Sequence, residues 1–559
     1  MNDIAKVNNA AINAIYGEED DFIIIGLTGR TGSGCTTVAK ILSSEQANIN
    51  HNLISYSDNT LKTNEQRKKK IIYNHFKYSW QPFLHIQASS IITTFLLDDL
   101  DNDTRIFFEK TIQYSWKIDK LHENLKKIKL EYDKVNIFKD NENSIKLEDM
   151  IKFYTKELPI FITEIKSTLG KNEYTKLYQE IGNNIRKSGN AYKNEFNKKS
   201  FFTLAERINT TIKYIHEKQK NQKTYIVIDA IRNSLEALYF EERYASFYLM
   251  AITTLEKDRI SRLKNLNLSN EEIKSIDIEY NNKDNYTFQN IKECIQKADL
   301  YINNDNIKDS KDYLPDLSSQ IIKFISLIRR PGIITPTAIE RCMHIAYSAK
   351  LNSGCISRQV GAVITDQDYS IKSIGWNDVP QGQVPCNLRN RDDLQDKLDL
   401  EAYSDFEKNN IEYREHFINS NKKFNIIPIN GRNNSFCFKD EFNKYKKQDN
   451  QVHTRSLHAE ENAFLQLAKY GSNGISGGFL FTTASPCELC AKKAYQMGII
   501  KIFYIDPYPG ISLEHILQSG TKQPCMILFS GAIGKAYHKL YSPFISYKDE
   551  INNLIDILD

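Results

Sequence analysis

The residues best suited to chemistry are a histidine and two cysteines in the last quarter of the chain. His458 stands two residues before Glu460, and Cys487 and Cys490 follow with two residues between them. One imidazole and two thiolates supply three ligands to a tetrahedral Zn²⁺, and the fourth position stays open for water, as in a catalytic site. Water on such a zinc has a pKa of about 7, so hydroxide is available at neutral pH. The spacing therefore predicts a catalytic zinc site.

Glu460 is the predicted proton carrier of this site. It lies near enough to His458 to face the bound water without coordinating the metal, and a carboxylate there can pass the water's proton to a ring nitrogen and a leaving amine. The pattern H-x-E…P-C-x-x-C, which begins at His458 and ends at Cys490, is typical of zinc deaminases that act on cytosine or adenine. A structural zinc knuckle with a chance glutamate is the alternative, but it would normally show a fourth Cys or His nearby.

Short elements are expected to position these residues. A helix is predicted to open at Leu457, and a strand at 479–483 is predicted to deliver both cysteines to the start of the next helix. A helix N-terminus favours negative charge and helps to hold the cysteines as thiolates. A further strand is predicted at 500–505, and two ligand-bearing helices on one sheet resemble the cytidine deaminase fold.

The segment from about 336 to 545 resembles deoxycytidylate deaminases. The motifs are Ser357–Val363, Gly375–Gly382 and the two zinc motifs. The resemblance implies that Asn377 contacts the sugar or the pyrimidine, although Asn377 could instead only form a turn beside glycine. Ala459 and Ser485 are also predicted to contact the substrate. An insertion between Cys386 and His453 leaves the phosphate contacts of the family unassigned. Cys386, Cys437 and His453 could join a second metal site, or carry no ligand at all.

A second motif lies near the start of the chain, between a buried strand predicted at 22–27 and a helix predicted from Thr36. It fits the phosphate-binding pattern G-x-x-x-x-G-K-[ST], except that Cys35 occupies the lysine position. Loop amides and the helix N-terminus could still hold phosphates, Thr36 could reach Mg²⁺, and Asp229 would be a Walker-B-like carboxylate. The predicted loop comprises Gly29, Arg30, Thr31, Gly32, Ser33, Gly34, Cys35, Thr36 and Thr37.

Three further segments, Ser57–Lys62, Gly182–Arg186 and Arg259–Leu263, resemble nucleoside monophosphate kinases. They favour a kinase-like domain that binds a nucleotide and no longer transfers phosphate, because the lysine that steadies the β- and γ-phosphates is absent. A vestigial loop that binds nothing is the alternative.

The predicted fold class is therefore α/β. A doubly wound, P-loop kinase-like domain precedes a cytidine-deaminase-like α/β/α domain. The predicted boundaries are a tail at 1–21, the kinase-like domain at 22–330 with a helical insertion at about 100–200, and the deaminase domain at 331–559 with an insertion at about 392–451.

Composition and charge limit the classes of protein to which the chain can belong. A net charge of +4 across 559 residues is close to balance and gives no electrostatic signature of a nucleic-acid binder. Nine cysteines without a paired framework fit a reducing compartment. The start lacks the pattern of a signal peptide, and the apolar run at 22–25 is too short to span a bilayer. A cytoplasmic protein without a membrane partner is expected.

A P-loop domain ahead of a deoxycytidylate deaminase domain resembles the bacterial antiviral cytidine deaminases. The resemblance implies conversion of dCMP and dCTP to deoxyuridine nucleotides during phage infection, a homo-oligomer and, in some members, inhibition by a small RNA in the manner of a toxin–antitoxin pair. Three alternatives stay open: a tRNA or single-stranded DNA deaminase, a nucleotide kinase with an accessory zinc domain, and a non-catalytic nucleotide sensor.

Overall fold

A computed structural model describes the chain at residues 3–51, 61–100, 104–138, 145–219, 222–266, 268–278, 286–305, 316–424, 426–427, 429–471, 474–507 and 510–558. It divides into a first unit, Met1–Thr335 with Ser530–Asp559, and a second unit, Pro336–Phe529. Most of the kinase-like segment Ser57–Lys62 lies outside the described residues. No helix in the described ranges has the length and apolar character that a membrane span requires.

The strands of the described residues are, in chain order, β1 (Phe22–Thr28), β2 (Leu84–Gln87), β3 (Thr224–Asp229), β4 (Phe247–Thr253), β5 (Leu300–Asn303), β6 (Gly361–Thr365), β7 (Ile371–Trp376), β8 (Phe479–Ala484), β9 (Lys501–Asp506), β10 (Cys525–Leu528) and β11 (Gly531–Ala532).

The α-helices of the same ranges are α1 (Asp3–Asp20), α2 (Cys35–Leu42), α3 (Asn64–Ser79), α4 (Ala88–Asp98), α5 (Thr104–Glu109), α6 (Ser115–Val135), α7 (Leu147–Lys152), α8 (Leu158–Leu169), α9 (Lys171–Ser188), α10 (Thr203–Lys218), α11 (Ser234–Glu241), α12 (Glu256–Lys264), α13 (Asn270–Ile278), α14 (Ile291–Lys297), α15 (Leu317–Arg329), α16 (Ala338–Ala349), α17 (Arg391–Asp396), α18 (Asp405–Asn409), α19 (Ile411–Asn421), α20 (Phe438–Lys446), α21 (Ala459–Tyr470), α22 (Glu488–Gln496), α23 (Gly534–Tyr541) and α24 (Tyr547–Leu558).

A six-stranded sheet organises the first unit, in the order β11-β5-β4-β1-β3-β2. The first five strands of the chain run parallel, and β11 is antiparallel to β5. Strand β1 is buried almost throughout, as the apolar run at 22–27 predicts for a parallel sheet covered on both faces. Helices α2, α3 and α15 contribute to the core on one face, while α10, α11 and α14 contact strands β3, β4 and β1.

The predicted helical insertion is present as helices α5–α9. Leu121 and Leu125 of α6 are buried, and α6 packs on α8, which packs on α9. Because these leucines lie four residues apart, they share one face of the helix. The spacing of these leucines therefore indicates a small hydrophobic core that the helices form among themselves, beside the sheet.

The two ends of the chain differ from the sequence-based boundaries. Residues 3–20 form the helix α1, where the sequence suggests a tail, and α1 packs on α24 and α15. Residues 530–559 were assigned by sequence to the second domain, yet they belong to the first unit. The reason is long-range pairing: Gly531 and Ala532 of β11 pair with Tyr301 and Leu300 of β5.

The second unit contains a five-stranded sheet in the order β10-β9-β8-β6-β7. The predicted hairpin is β6 and β7, in which Ala362 pairs with Gly375. Both lie on the face covered by α21, and a Cβ at Gly375 would lie 2.3 Å from the Ala459 carbonyl oxygen. Gly361 points to the opposite face, where a Cβ would lie 1.9 Å from the Ala346 carbonyl oxygen of α16. Glycine thus permits two helices to approach opposite faces of the sheet.

The predicted insertion at 392–451 forms helices α17–α20. The sequence shows no clear core pattern here, but the structure contains a separate cluster of buried aromatic residues, including Tyr413, Phe417 and Phe436. Two buried ion pairs, Arg389–Glu407 and Arg391–Glu441, join this segment to the residues just before it. The pattern is hard to read from sequence because these helices are short and their core residues are aromatic and irregularly spaced.

Candidate functional site

His458, Cys487 and Cys490 form one cluster in the second unit. The Nδ1 atom of His458 lies 3.3 Å from Cys487 Sγ and 3.4 Å from Cys490 Sγ, and one candidate ligand atom from each residue falls within 4.8 Å of the others. Tetrahedral bonds of about 2.0 Å to nitrogen and about 2.3 Å to sulfur would place nitrogen and sulfur about 3.5 Å apart. The three side chains therefore fit Zn²⁺, with His458 offering Nδ1.

Helix starts position all three ligands. His458 is the N-cap of α21 and Cys487 is the N-cap of α22, while Cys490 lies in the first turn of α22. The helix predicted to open at Leu457 begins two residues later, at Ala459, and the cysteines lie at the start of the next helix, as predicted. The positive ends of both helix dipoles meet at the cluster and stabilise thiolate charge there.

A hydrogen bond between the two thiols moves their pKa values apart. Hydrogen bonding from Cys490, with a further bond from His458, lowers the pKa of Cys487 to about 4. The hydrogen bond to Cys487 raises the pKa of Cys490, and burial adds to that rise. Bound zinc deprotonates coordinating thiols outright, so this pair is prepared to release its remaining proton on metal binding.

Glu460 lies beside the cluster, in the first turn of α21. Its side chain is only 4% exposed, and burial raises its pKa. The hydroxyl of Thr482, on β8, donates to Glu460 Oε1 at 3.3 Å. A buried carboxyl group within one helical turn of a zinc ligand, oriented by a hydroxyl from the sheet, can hold and release a proton next to the metal position.

Two groups support the cluster and were not predicted from the sequence. Lys493 of α22 forms an ion pair with Glu461 of α21, and the other oxygen of Glu461 accepts the backbone N–H of His458 at 3.4 Å. The second group is Thr482, whose hydroxyl donates to Glu460 Oε1. These contacts join residues between three and 32 positions apart, so only the i+3 capping position of Glu461 carried a local signal.

Comparison with known proteins agrees with this geometry. The family described as "Cytidine and deoxycytidylate deaminase zinc-binding region" matches residues 336–506. Deoxycytidylate deaminase of Enterobacteria phage T2 is 32% identical over 171 residues, which are 30% of this chain and 78% of the relative. The chain belongs to the cytidine and deoxycytidylate deaminase family. The second unit is called the deaminase unit below.

Two further proteins are similar to part of this chain. Deoxycytidylate deaminase of Enterobacteria phage T4 is 30% identical over 166 residues, 30% of this chain and 76% of the relative. The crystal structure of dCMP deaminase from the cyanophage S-TIM5 in complex with dCMP and dUMP is 22% identical, covers 35% of this chain and 99% of that chain, and has a TM-score of 0.22.

Asn377 of the deaminase unit is held by backbone groups. Its Oδ1 accepts the N–H of Val360 at 2.6 Å and its Nδ2 donates to the carbonyl of Arg358 at 2.8 Å. The amide therefore fixes the start of β6 next to the end of β7. One amide hydrogen and one oxygen lone pair remain for a ligand, so the predicted substrate contact stays a prediction.

Ala459 and Ser485 lie beside the metal ligands. Ala459 is the first residue of α21 and is fully buried, and Ser485, which is also buried, directly follows β8. The backbone N–H of Ser485 donates to the Asp506 carbonyl at 2.9 Å. Ala459 directly follows His458 in the chain and Ser485 lies two residues before Cys487, and their contact with substrate remains a prediction.

The second metal site raised by the sequence has no support in the described part of the chain, where the zinc cluster is the one group of three candidate ligands. Cys386 and Cys437 do meet: a hydrogen bond from Cys437 lowers the pKa of Cys386 to about 7. His453 packs instead on the ring of Phe442, with centroids 4.6 Å apart.

The phosphate-binding motif lies in the first unit, between β1 and α2. Eight of its nine residues line a cavity of about 860 Å³, and Asp229, at the end of β3, lines the same cavity. Ser33 is the exception, because its side chain is buried inside the loop. The structure thus brings the loop and the predicted carboxylate together, and the walls include cationic side chains that the sequence did not single out.

Proposed function

We propose that the deaminase unit hydrolyses the amino group of free deoxycytidine nucleotides, giving deoxyuridine nucleotides and ammonia. The observation that carries the proposal is the meeting of His458, Cys487 and Cys490 beside the buried carboxyl group of Glu460. Deoxycytidylate deaminases of phages T2 and T4, which match over most of their length, support this choice of substrate.

Each residue of the site has its own part in the hydrolysis of the amino group. Water adds to C4 of cytosine, the bond from C4 to the amino nitrogen breaks, and ammonia leaves. His458, Cys487 and Cys490 would hold Zn²⁺, which would supply a water acidic enough to give hydroxide near neutral pH. Glu460 carries the two protons of the attacking water in turn, the first to the ring nitrogen and the second, from the hydroxyl group formed on C4, to the leaving amine. Thr482 orients the carboxyl group for both transfers through its bond to Oε1.

The proposal extends to dCTP as well as dCMP. The order of a P-loop motif before a deaminase resembles antiviral deaminases, and on that resemblance the enzyme would deplete the dCTP pool on which phage DNA synthesis depends. A small inhibitory RNA and a homo-oligomeric state remain predictions from the same resemblance. Measuring dCTP in infected cells that carry either wild-type protein or Glu460→Gln tests this extension.

A direct assay separates the substrate classes. Purified full-length protein is incubated with dCMP, dCTP, CMP or a cytosine-containing oligodeoxynucleotide, and ammonia and the uracil product are quantified. We expect wild-type protein to give product from the free deoxynucleotides, and Glu460→Gln to give product at least about 10²-fold more slowly. Activity confined to the oligonucleotide would assign the protein to the polynucleotide deaminases. A zinc-loaded protein inactive on every substrate would contradict the proposal altogether.

A further inference from the structure

The cavity beside the P-loop of the first unit receives two lysines from outside the loop. Lys166 lies in the last turn of α8 and Lys171 is the first residue of α9, with Gly170 between the two helices. Gly170 has a φ of 81°, a left-handed conformation that glycine adopts at no steric cost. This turn brings both lysines to the wall of the cavity that also contains Gly29–Thr37.

Two side chains from other segments of the first unit hold the loop by hydrogen bonds. Asn304 Nδ2 donates to the Ser33 carbonyl at 2.7 Å, and Arg259 Nη1 donates to the Thr31 carbonyl at 3.2 Å. Gly34, with a φ of 110°, leaves room for this contact, since a Cβ there would lie 2.2 Å from Asn304 Nδ2. No side chain among the described residues caps α2. Its first amides are therefore available to an anion.

The loop itself contributes no lysine. Cys35 stands at that position, and burial, reinforced by the nearby carboxylate of Asp229, raises the pKa of its thiol to about 12. The thiol is neutral at physiological pH. A phosphate chain in this loop would thus lack the ammonium group that normally neutralises it.

The surrounding walls have an excess of positive charge. Neither Lys166 nor Lys171 forms an ion pair with an acidic side chain of the described ranges; the Lys166 ammonium lies 4.9 Å from the centre of the Tyr174 ring. Burial lowers the pKa of both lysines, and Arg232, which bonds to Thr31 at 3.3 Å, lowers them further by like-charge repulsion. Lys166, Lys171 and Arg232 therefore line the cavity together with Asp229, the carboxylate at the end of β3. A polyanion in the cavity would relieve this repulsion.

The same cavity also has an unused hydrogen-bond acceptor. Gln289 is 7% exposed and its Oε1 is buried without a hydrogen-bond partner, although it lines the wall. Such an orphan oxygen costs free energy unless a ligand supplies a donor. Arg186, another wall residue, is already neutralised by Glu236 at 2.7 Å. Among the described residues, the cavity therefore has two lysines near the loop without an acidic partner, Lys166 and Lys171, and one amide oxygen without a hydrogen-bond donor, Gln289 Oε1.

We propose that the first unit binds a nucleoside polyphosphate in this cavity, with Lys166 and Lys171 supplying the positive charge that Cys35 removes from the loop and Gln289 accepting a hydrogen bond from the base. The volume of about 860 Å³ falls within the range of small-molecule sites, roughly 300–1,000 Å³. The proposal does not depend on the deaminase substrate, because all of its residues lie in the first unit.

Calorimetric titration of the full-length, zinc-loaded protein tests the site with ATP, GTP, dTTP and inorganic tripolyphosphate, none of which contains cytosine. We expect at least one nucleotide to bind with a dissociation constant below about 1 mM. Lys166→Ala and Lys171→Ala should each weaken binding tenfold or more, about 1.4 kcal/mol, and Lys166→Arg should retain most of it. Lys176→Ala is the matched control, since Lys176 is an exposed residue of α9 and should leave binding unchanged.

A second pair of variants separates charge from folding. Cys35→Lys restores the lysine of the motif, and we expect the double variant Cys35→Lys/Lys166→Ala to bind more tightly than Lys166→Ala alone. Gln289→Leu should reduce discrimination among the three nucleotides while tripolyphosphate binds as before. The proposal is overturned if no nucleotide binds the wild-type protein, if Lys166→Ala binds within twofold of wild type, or if Lys176→Ala loses as much affinity as Lys166→Ala.

Discussion

The hydroxyl of Thr482 lies within hydrogen-bonding distance of two acceptors, Glu460 Oε1 at 3.3 Å and the Ala484 carbonyl at 2.8 Å. The two acceptors share the single hydroxyl hydrogen of Thr482. The position of the Glu460 carboxyl group therefore depends on the backbone at the end of β8, which leads to Cys487. Thr482→Val keeps the shape and removes the hydroxyl. We expect turnover to fall about tenfold with zinc content unchanged, and an unchanged turnover would mean that Thr482 has only a structural role.

Removal of the carboxylate separates proton transfer from metal binding. Glu460→Gln keeps the side-chain volume but cannot carry the proton, so turnover should fall by about 10²–10⁴ or more. Zinc content, measured by atomic emission, should stay near one ion per chain. If Glu460→Gln remains within a few-fold of wild type, the proton carrier is another group.

Removal of a thiol tests the ligand assignment. Cys487→Ala and Cys490→Ala should each lose zinc and activity together, because a three-ligand site becomes a two-ligand site. Cys525→Ala is the control, since Cys525 is exposed on β10 and lies outside the cluster. Full zinc retention in Cys487→Ala would contradict the assignment.

Gly375 tests how the sheet positions α21. A methyl group at Gly375→Ala would lie 2.3 Å from the Ala459 carbonyl oxygen and 2.5 Å from the Ala463 nitrogen, so α21 must shift with His458 at its N-cap. We expect weaker zinc binding, measured by competition with a chelator, and a lower melting temperature. Gly17→Ala is the control because a Cβ there meets nothing within 4 Å.

His75 gives the first unit a predictable pH dependence. Burial, with repulsion from Arg329, lowers its pKa to about 4, against about 6.5 in an unfolded chain. Between pH 6.5 and 4 the unfolded chain binds a proton that the folded protein excludes. Stability is therefore fully present above pH 6.5 and decreases as the pH falls through this window.

Urea unfolding of wild type and His75→Gln at pH 7.5 and pH 5 measures this contribution. The wild-type free energy of unfolding should fall by about 1–2 kcal/mol more than that of His75→Gln. His538→Gln, at an exposed histidine of the same unit, should follow wild type. If the free energy of unfolding changes equally between pH 7.5 and pH 5 for wild type and His75→Gln, the prediction is wrong.

The sequence was most informative where chemistry depends on local spacing. One residue separates His458 from Glu460 and two separate Cys487 from Cys490, and β1 followed by a glycine loop and α2 is likewise a local pattern. Thr482, Lys166 and Gln289 come to their sites through contacts between distant segments, which no local pattern encodes. The pairing of β11 with β5 was missed for the same reason: a two-residue edge strand has no recognisable periodicity.

That pairing has a practical consequence for dissecting the protein. The deaminase unit is an insertion within the first unit, whose chain resumes at Ser530. A stop codon after residue 330 would leave β5 without its antiparallel neighbour and expose an unpaired sheet edge, which favours aggregation. A fragment of 331–559 would carry α23 and α24 without the surfaces on which they pack. Separate expression of the two units therefore requires excision of 336–529 and a short linker in its place, rather than a single cut.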